Sequence, residues 1–344
     1  MQGRDHRLNP ILESESFSAS SSRPAERNFQ PGWWCPGQHA QTIFAYFFRP
    51  YQHLPFHRKR LETPDGDFLD LDFLPGDPEK PLVLIVHGLE GSSRASYVQS
   101  FLGEVQKAGR PICALNFRGC SGETNRLPST YHSGKTEDLD LTVNYLHQAL
   151  GQKKIDIVGF SIGGNLLLKW LGEQKHAARN KIRKALAVSV PYDLVRSVLV
   201  MDRGFNRQVY TRKLLQSLKK KTLLKEKKFP HISNFRKAKN AHTFYEFDSL
   251  ITAPLNGFKD AVDYWTRSSS LYFLKEICVE TGLLHAEDDP FYPGHLFPFD
   301  EVKHSDYLEP IWTRQGGHLG FMNGPLPWKQ DLWLEKTIVD FLCA

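Results

Sequence analysis

Val158-Gly159-Phe160-Ser161-Ile162-Gly163-Gly164-Asn165 is the stretch whose reading decides the fold. Lys154-Ile155-Asp156-Ile157-Val158 leads into it, apolar and β-branched, and predicts a buried strand. Leu166-Leu167-Leu168-Lys169-Trp170-Leu171 follows it and predicts a helix. A Gly-x-Ser-x-Gly therefore falls where a strand turns sharply into a helix, the setting that exposes a serine hydroxyl as a nucleophile. Such a turn strains the serine backbone and needs small neighbours, which Gly159 and Gly163 supply. Gly164 lets the helix lie close to the sheet. The helix N-terminus then faces Ser161, where its dipole and free N–H groups favour negative charge. The bare pattern occurs by chance in loops, so its strand-and-helix context carries the reading.

Working outward, Leu82–Val86, Ile112–Phe117, Ala185–Val190 and Gly282–Ala286 are further apolar runs, as in strands covered on both faces. Helical patterns over about Tyr97–Ala108, Lys135–Ala149 and Ile162–Glu173 intervene. Alternating β and α predicts an α/β fold with a mostly parallel, doubly wound sheet. Ahead of it, Arg58–Thr63 and Phe68–Phe73 flank the turn Pro64-Asp65-Gly66-Asp67 and predict an antiparallel hairpin at the N-terminal sheet edge. A helix is expected to start at Gln38-His39-Ala40-Gln41, with His39 as a cap or packing residue. Leu308–Thr313 predicts the last strand and Pro327–Cys343 a closing amphipathic helix. Residues 1–28, serine-rich over Ser14–Ser22, predict a disordered tail. Residues 29–344 then form one domain, with a helical cap inserted over about residues 191–278, before the acid-bearing strand.

Two loops and two later residues complete a candidate site. His87-Gly88-Leu89-Glu90-Gly91-Ser92 follows the first buried strand. The backbone N–H groups of Leu89 and Ile162 are the candidates to hold an oxyanion. The alternative is an ordinary Gly-rich turn; the loop lacks the Gly-Lys-Ser/Thr ending of a phosphate loop. Arg118-Gly119-Cys120-Ser121-Gly122-Glu123 is a second tight loop, in which Cys120 reads as structural. In the order Ser, acid, His, the acid is sought after the Gly282–Ala286 strand, in Glu287-Asp288-Asp289-Pro290. Asp289 is preferred because Pro290 fixes the chain beside it; Asp288, Glu287 and Asp193 of Pro191-Tyr192-Asp193 are the alternatives. His318 is the base, in Gln315-Gly316-Gly317-His318-Leu319-Gly320-Phe321, where the glycines are expected to let the ring swing toward Ser161.

The 344 residues are 40% hydrophobic and 24% charged, an ordinary globular composition. No apolar run reaches the roughly 20 residues of a membrane span, and the polar N-terminus has no signal-peptide core. Five scattered cysteines without a C-x-x-C pair predict neither a zinc site nor a disulfide framework, and a reducing cytoplasm is expected. The net charge of +6 is uneven: of 44 Lys and Arg, 14 lie between Arg196 and Asn240, against 2 of the 38 acids. There Lys219, Lys220, Lys221, Lys225, Lys227 and Lys228 interleave with Leu218, Leu223, Leu224 and Phe229. That mixture predicts weak contact with an anionic membrane surface, the alternative being a solvated face. No motif accompanies the charge, so nucleic acid is not expected as a partner.

These residues resemble the YheT-like α/β-hydrolases, relatives of the animal and yeast α/β-hydrolase-domain esterases and lipases. The likeness covers roughly residues 29 to 343. Besides the stretches above it includes Asn116-Phe117-Arg118, Tyr131-His132-Ser133-Gly134, His285-Ala286-Glu287-Asp288-Asp289-Pro290-Phe291, Glu246-Phe247-Asp248 and Ile251-Thr252-Ala253. Tyr292, where the family often has Met, and Val279-Glu280-Thr281, where a Pro-Thr is usual, depart from it. The resemblance implies Ser161, Asp289 and His318 as a triad and hydrolysis of carboxylic esters, small-molecule or lipid, with no metal or organic cofactor. Acyl transfer to an alcohol by the same acyl-enzyme, and a non-catalytic binding protein on the same fold, are the competing readings.

Overall fold

Runs that are apolar at every position have no face to turn to water, so they must lie in a sheet covered on both sides. A computed structural model describes residues 29–344 apart from Gln152 and Ser233, so the tail expected over 1–28 lies outside the described residues. The strands are β1 (His57–Glu62), β2 (Phe68–Leu74), β3 (Val83–Val86), β4 (Ile112–Asn116), β5 (Ile155–Phe160), β6 (Ile182–Val188), β7 (Thr281–Ala286) and β8 (Leu308–Thr313). Among the described residues they form one sheet in the order β1-β2-β4-β3-β5-β6-β7-β8. β1 and β2 run antiparallel, as does β2 against β4, and the remainder is parallel.

The principal helices are α1 (Gln38–Phe48), α2 (Ser96–Lys107), α3 (Thr136–Ala149), α4 (Ile162–Gln174), α5 (Leu194–Met201), α6 (Arg212–Lys228), α7 (Ala261–Ser268) and α8 (Trp333–Cys343). Successive strand residues alternate between the two faces. Val83, Ile85, Val158 and Phe160 share a core with α2 and α8. Leu84, Val86, Ile155 and Ile157 share the opposite core with α3 and α4. The Ser161 turn thus rises from the middle of a three-layer stack.

In β2, Asp70 and Asp72 are buried, and arginines of the outer strand reach over to them, Arg60 at 2.8 Å and Arg58 at 2.7 Å. Two local expectations shift. β6 begins earlier than expected and stops at Val188, because Ser189 takes a positive φ of 50°. The closing helix starts at Trp333 rather than Pro327: Leu326 bridges Lys329 in a turn, and Leu332 takes a left-handed φ of 50°, which a continuous helix does not allow.

Between β6 and β7 the chain builds helices with their own apolar core, including Leu194, Met201, Leu215, Phe235, Phe247 and Trp265. α6 ties this segment to the sheet through Glu90, in the loop after β3. The Lys221 ammonium lies 2.7 Å from the Glu90 carboxylate, to which the Ser217 hydroxyl also donates. Tyr131 donates to it at 2.9 Å. Lys225 is fully buried and donates to the carbonyls of Asn125 (3.1 Å) and Leu127. The lysines expected as one membrane-facing surface are therefore divided. Lys221 and Lys225 turn inward, Leu218 and Phe229 pack on the local core, and Lys220, Lys227, Lys228, Leu223 and Leu224 are exposed. No helix among the described residues is long and apolar enough to cross a membrane.

Removing one member of a buried ion pair strands the other. Lys221→Met is expected to cost about 2 kcal/mol, below the usual range for buried pairs because Lys221 keeps 24% of its side chain exposed. Adding Glu90→Gln should recover most of that loss. Urea unfolding of the two single variants and the double variant checks this, and additive losses would refute the coupling.

Candidate active site

β5 ends at Phe160 and α4 begins at Ile162, leaving Ser161 as the single joint between them, at φ 54° and ψ −123°. A non-glycine residue held there costs on the order of 1–3 kcal/mol. The Ser161 N–H donates to Val188 O at 2.8 Å, and its carbonyl accepts from Asn165 N at 3.0 Å. The Asn165 side chain anchors the turn further, donating to Ser133 O and Ser268 O and accepting from Ser270 N. A Cβ at position 163 would lie 2.4 Å from the carbonyl oxygens of Val86 and His87. Only glycine lets α4 start this close to the end of β3.

Ser161, Asp289 and His318 come together although 157 residues separate the serine from the histidine. His318 Nε2 is 3.1 Å from Ser161 Oγ, and His318 Nδ1 is 2.8 Å from Asp289 Oδ2. A carboxylate oxygen only accepts, so Nδ1 carries the hydrogen and Nε2 faces the serine as an acceptor. All three side chains are buried. Burial pushes the Asp289 carboxyl up, but the imidazoles of His318 and His285 outweigh it and hold it well below the usual carboxylate range. The Phe291 N–H also donates to its other oxygen at 2.7 Å. The arrangement can move a proton from Ser161 to His318 and stabilise the imidazolium with Asp289.

His285 was not singled out from the sequence. Its Nε2–H donates to Asp289 Oδ2 at 2.9 Å, so one carboxylate oxygen serves two imidazoles. His285 Nδ1 has no partner, and the rings of Tyr192, Tyr292 and Phe297 surround it. Burial lowers its pKa, so it stays a neutral donor. The signal available in the sequence was a histidine closing the strand before the candidate acid.

The His318 loop is clamped by α1. His318 N–H donates to Thr42 Oγ1 at 2.9 Å, and Arg49 donates to Leu319 O at 2.5 Å and also to Gly320 O. Gly317 has φ 60°, and a Cβ there would lie 2.6 Å from Gln38 O. Gly317 and Gly320 thus permit the close approach of α1. Asp288 accepts from Gly317 N at 2.8 Å and holds the same loop. Phe291 stacks on the His318 ring at 3.9 Å. Asp193, the alternative acid, instead caps α5, accepting from Val195 N at 2.9 Å and Arg196 N at 3.2 Å. His39 packs against Phe205 and bonds Tyr210 OH at 2.9 Å.

Leu89 and Ile162 both border the cavity beside Ser161. The Ile162 N–H belongs to the first turn of α4, which has no intrahelical acceptor. The amides flanking Leu89 are taken: Gly88 N donates to Tyr97 OH at 2.7 Å and Glu90 N to Tyr131 OH at 2.8 Å. His87 fixes this loop from beneath, donating from Nδ1 to Gly88 O at 2.8 Å and accepting at Nε2 from Phe117 N at 3.1 Å. Burial pushes its pKa down to about 3, so it is neutral. Burial pushes the Cys120 thiol up to about 11 despite the Lys221 ammonium at 3.0 Å, so it is a poor nucleophile. Among the described residues no group of three His, Cys, Asp or Glu could hold a metal.

Two outcomes are expected. His285→Phe keeps the aromatic volume but removes the donor to Asp289. It should lower kcat by about 10-fold or more and move the acidic limb of the pH profile upward. His285→Gln keeps an N–H donor and should retain more activity; equal profiles for the two variants would exclude the donor role. The Asp288 carboxyl is pushed up to about 6, chiefly by burial. Its folded pKa exceeds its unfolded value near 4, so its stabilising contribution is complete below about pH 4 and is lost as pH rises through about 6. Asp288→Asn should therefore leave stability unchanged at pH 4 and raise it by about 1 kcal/mol at pH 8, the figure being reduced for partial exposure. Urea unfolding at both pH values checks this.

A family model described as the alpha/beta hydrolase fold matches residues 81–325. The chain is 35% identical to the YheT protein of Escherichia coli (strain K12), over 96% of this chain and 95% of that one. It is 33% identical to the monoacylglycerol lipase of Saccharomyces cerevisiae, over 72% of this chain and 56% of the yeast protein. It is 26% identical to the phospholipase ABHD3 of Mus musculus, over 97% and 83%. Among solved structures, the Pyrococcus furiosus esterase Pf2001 superposes with a TM-score of 0.56 at 16% identity, covering 94% of this chain and 97% of that one, a likeness of fold. The chain belongs to the α/β-hydrolase family, in its YheT-like branch.

Proposed function

We propose that this carboxylic ester hydrolase works by acyl transfer through Ser161. The observation that carries the proposal is the unbroken hydrogen-bond chain from Ser161 Oγ through His318 to Asp289. His318 Nε2 takes the Ser161 proton as Oγ attacks the ester carbonyl. The Leu89 and Ile162 N–H groups hold the oxyanion, and Asp289 fixes the His318 tautomer and stabilises its charged form. The alcohol leaves with the proton from His318, and water then releases the acid by the same steps. Residues 191–278 act as a cap over this site. The names of the relatives, a phospholipase and a monoacylglycerol lipase, favour a lipid ester as the natural substrate. Of the residues expected to contact an anionic surface, Lys220, Lys227, Lys228, Leu223 and Leu224 are exposed and Lys219 is half-buried, so any such contact would rest on these and on the other exposed basic residues of the segment.

Ser161→Ala is expected to lower the turnover of p-nitrophenyl butyrate on the order of 10³-fold or more, and to abolish labelling by a fluorophosphonate probe, with unfolding unchanged. Asp289→Asn should approach that loss, while Asp193→Asn, whose amide oxygen can still cap α5, should cost little catalysis. Most of the turnover surviving in Ser161→Ala would remove the serine from the mechanism.

A further inference from the structure

α1 is built inside out. Its buried residues are Gln41, Thr42 and Ala45, while Tyr46, Phe47 and Phe48 stand 60%, 66% and 62% accessible. A helix lying on a globular domain ordinarily turns its polar side to water and its apolar side to the core. Here the polar side chains point inward and bind the frame of the site. Gln41 donates from Nε2 to Cys35 O at 2.7 Å and Met322 O at 2.9 Å, and its Oε1 accepts from Met322 N at 2.6 Å. Thr42 accepts from His318 N in the loop of the base. The rings left outside form a connected set. Tyr46 meets Phe47 at 4.9 Å between ring centres, Phe47 meets Phe48 at 6.2 Å, and Phe48 leans on Phe44 at 4.7 Å. Two more exposed rings flank this end of α1. Trp33 donates to Pro325 O at 3.0 Å, and Trp328 lies in the turn that Gln330 ties to Phe48 O at 3.1 Å.

These rings border a groove of about 670 Å³ that reaches the serine. Tyr46 and Phe47 lie in one wall, Val209, Lys213 and Leu214 lie in another, and Ser161 and His318 also line it. The second wall belongs to a basic stretch that leads into α6. Arg203, Arg207, Arg212 and Lys213 are all exposed there. Phe205, exposed among them, sets its ring on His39 of α1 at 4.3 Å. The one acid of the stretch, Asp202, is half-buried and accepts from Phe244 N at 3.0 Å and Tyr245 N at 3.3 Å. Arg94, exposed in the loop after β3, adds a further cation to the groove. Glu90, the acid that borders it, is paired with Lys221.

We propose that the mouth of this groove docks on an anionic lipid bilayer, with the rings of α1 seated among the headgroups and the cations of residues 203–213 beside the lipid phosphates. Rings next to cations are the composition of a segment that lies in a membrane interface. The rings occupy the boundary between headgroup and acyl chain, and each cation adds attraction to anionic lipid. A second copy of this chain is the poorer occupant. A contact across a two-fold axis presents the same patch to itself, so Arg203, Arg207, Arg212 and Lys213 would meet their own copies with Asp202 the only acid among them. The face is also separate from Lys220, Lys227 and Lys228, which lie further along α6 and do not border the groove.

The position serves the reaction. Tyr46 lies one turn of helix beyond Thr42, the residue that holds the His318 loop, so a surface resting on the rings lies close over the site. An ester in that surface enters the groove between rings and cations without crossing water. This last step rests on Ser161 being the acylated residue; the docking does not.

Co-sedimentation of the full chain with large vesicles tests the proposal. Binding is expected to vesicles of phosphatidylcholine with about one-third phosphatidylglycerol, and at least about 10-fold weaker binding to phosphatidylcholine alone. Arg203→Gln combined with Arg207→Gln should weaken binding about 10-fold or more, and so should Phe47→Ser combined with Phe48→Ser. Urea unfolding checks that each variant is folded. Phe47→Ser alone, which leaves the ring contact of Phe48 with Phe44 intact, should still lose about 3-fold. Ser161→Ala should bind as the parent does. Equal binding to the two vesicle types, undiminished binding of the ring variants, or a loss confined to the combined Lys220→Gln, Lys227→Gln and Lys228→Gln variant would each overturn the docking face. So would a parent that runs as a dimer and a ring variant that runs as a monomer, since the face would then belong to a second copy. Fluorophosphonate labelling is read in parallel. Labelling without vesicle binding rejects the docking and keeps the acylated serine; binding without labelling does the reverse.

Discussion

The site depends on one residue held in a backbone conformation that its side chain disfavours. Ser161 sits at φ 54° because the chain must reverse from β5 into α4 within a single position. The cost, about 1–3 kcal/mol, is borne by what surrounds the turn. The Ser161 N–H completes the β6 edge through Val188, and Asn165 ties the first turn of α4 to two separate loops. α4 can begin there only because position 163 has no side chain to collide with the Val86 and His87 carbonyls. The result is a hydroxyl at the carboxyl ends of the strands with a helix N-terminus behind it, where developing negative charge is favoured.

The electrostatics are built around one buried carboxylate. Asp289 is fully buried, and an isolated charge there would neutralise by taking a proton. Two imidazoles and a backbone N–H prevent that. His285 and His87 are driven neutral by burial and act as fixed hydrogen-bonding groups. His318 alone faces the serine, its ring stacked on Phe291 and its backbone held by Thr42. The hydrogen-bond chain from Ser161 to Asp289 is thus kept in register by neutral neighbours.

Two distant elements complete the frame. α1, from the start of the described chain, reaches the loop of the base through Thr42 and Arg49. α6, from the segment between β6 and β7, reaches the loop of Leu89 through Lys221 and Ser217 on Glu90. Each clamps the backbone beside a site residue while leaving its working atoms free. A helix remote in sequence can do this at small cost, because its side chains replace water at carbonyl and carboxylate groups that would otherwise be buried without partners.

The sequence by itself determined the alternation of strand and helix, the serine turn and the chain order of the candidate serine, acid and base. Those features are local: apolar runs, glycine punctuation and the residue types at strand ends state them directly. It narrowed the acid to four carboxylates and favoured Asp289 for the proline beside it, although Asp193 and Asp289 both follow buried strands. Only the tertiary structure distinguishes them. One caps a helix, and the other lies 2.8 Å from His318. The roles of His285, Thr42, Arg49 and Glu90 were decided there as well, as was the inward turn of Lys221 and Lys225. Each of these depends on contacts across tens to hundreds of residues, and a side chain's partner at that separation is fixed by packing, to which local pattern carries no signal.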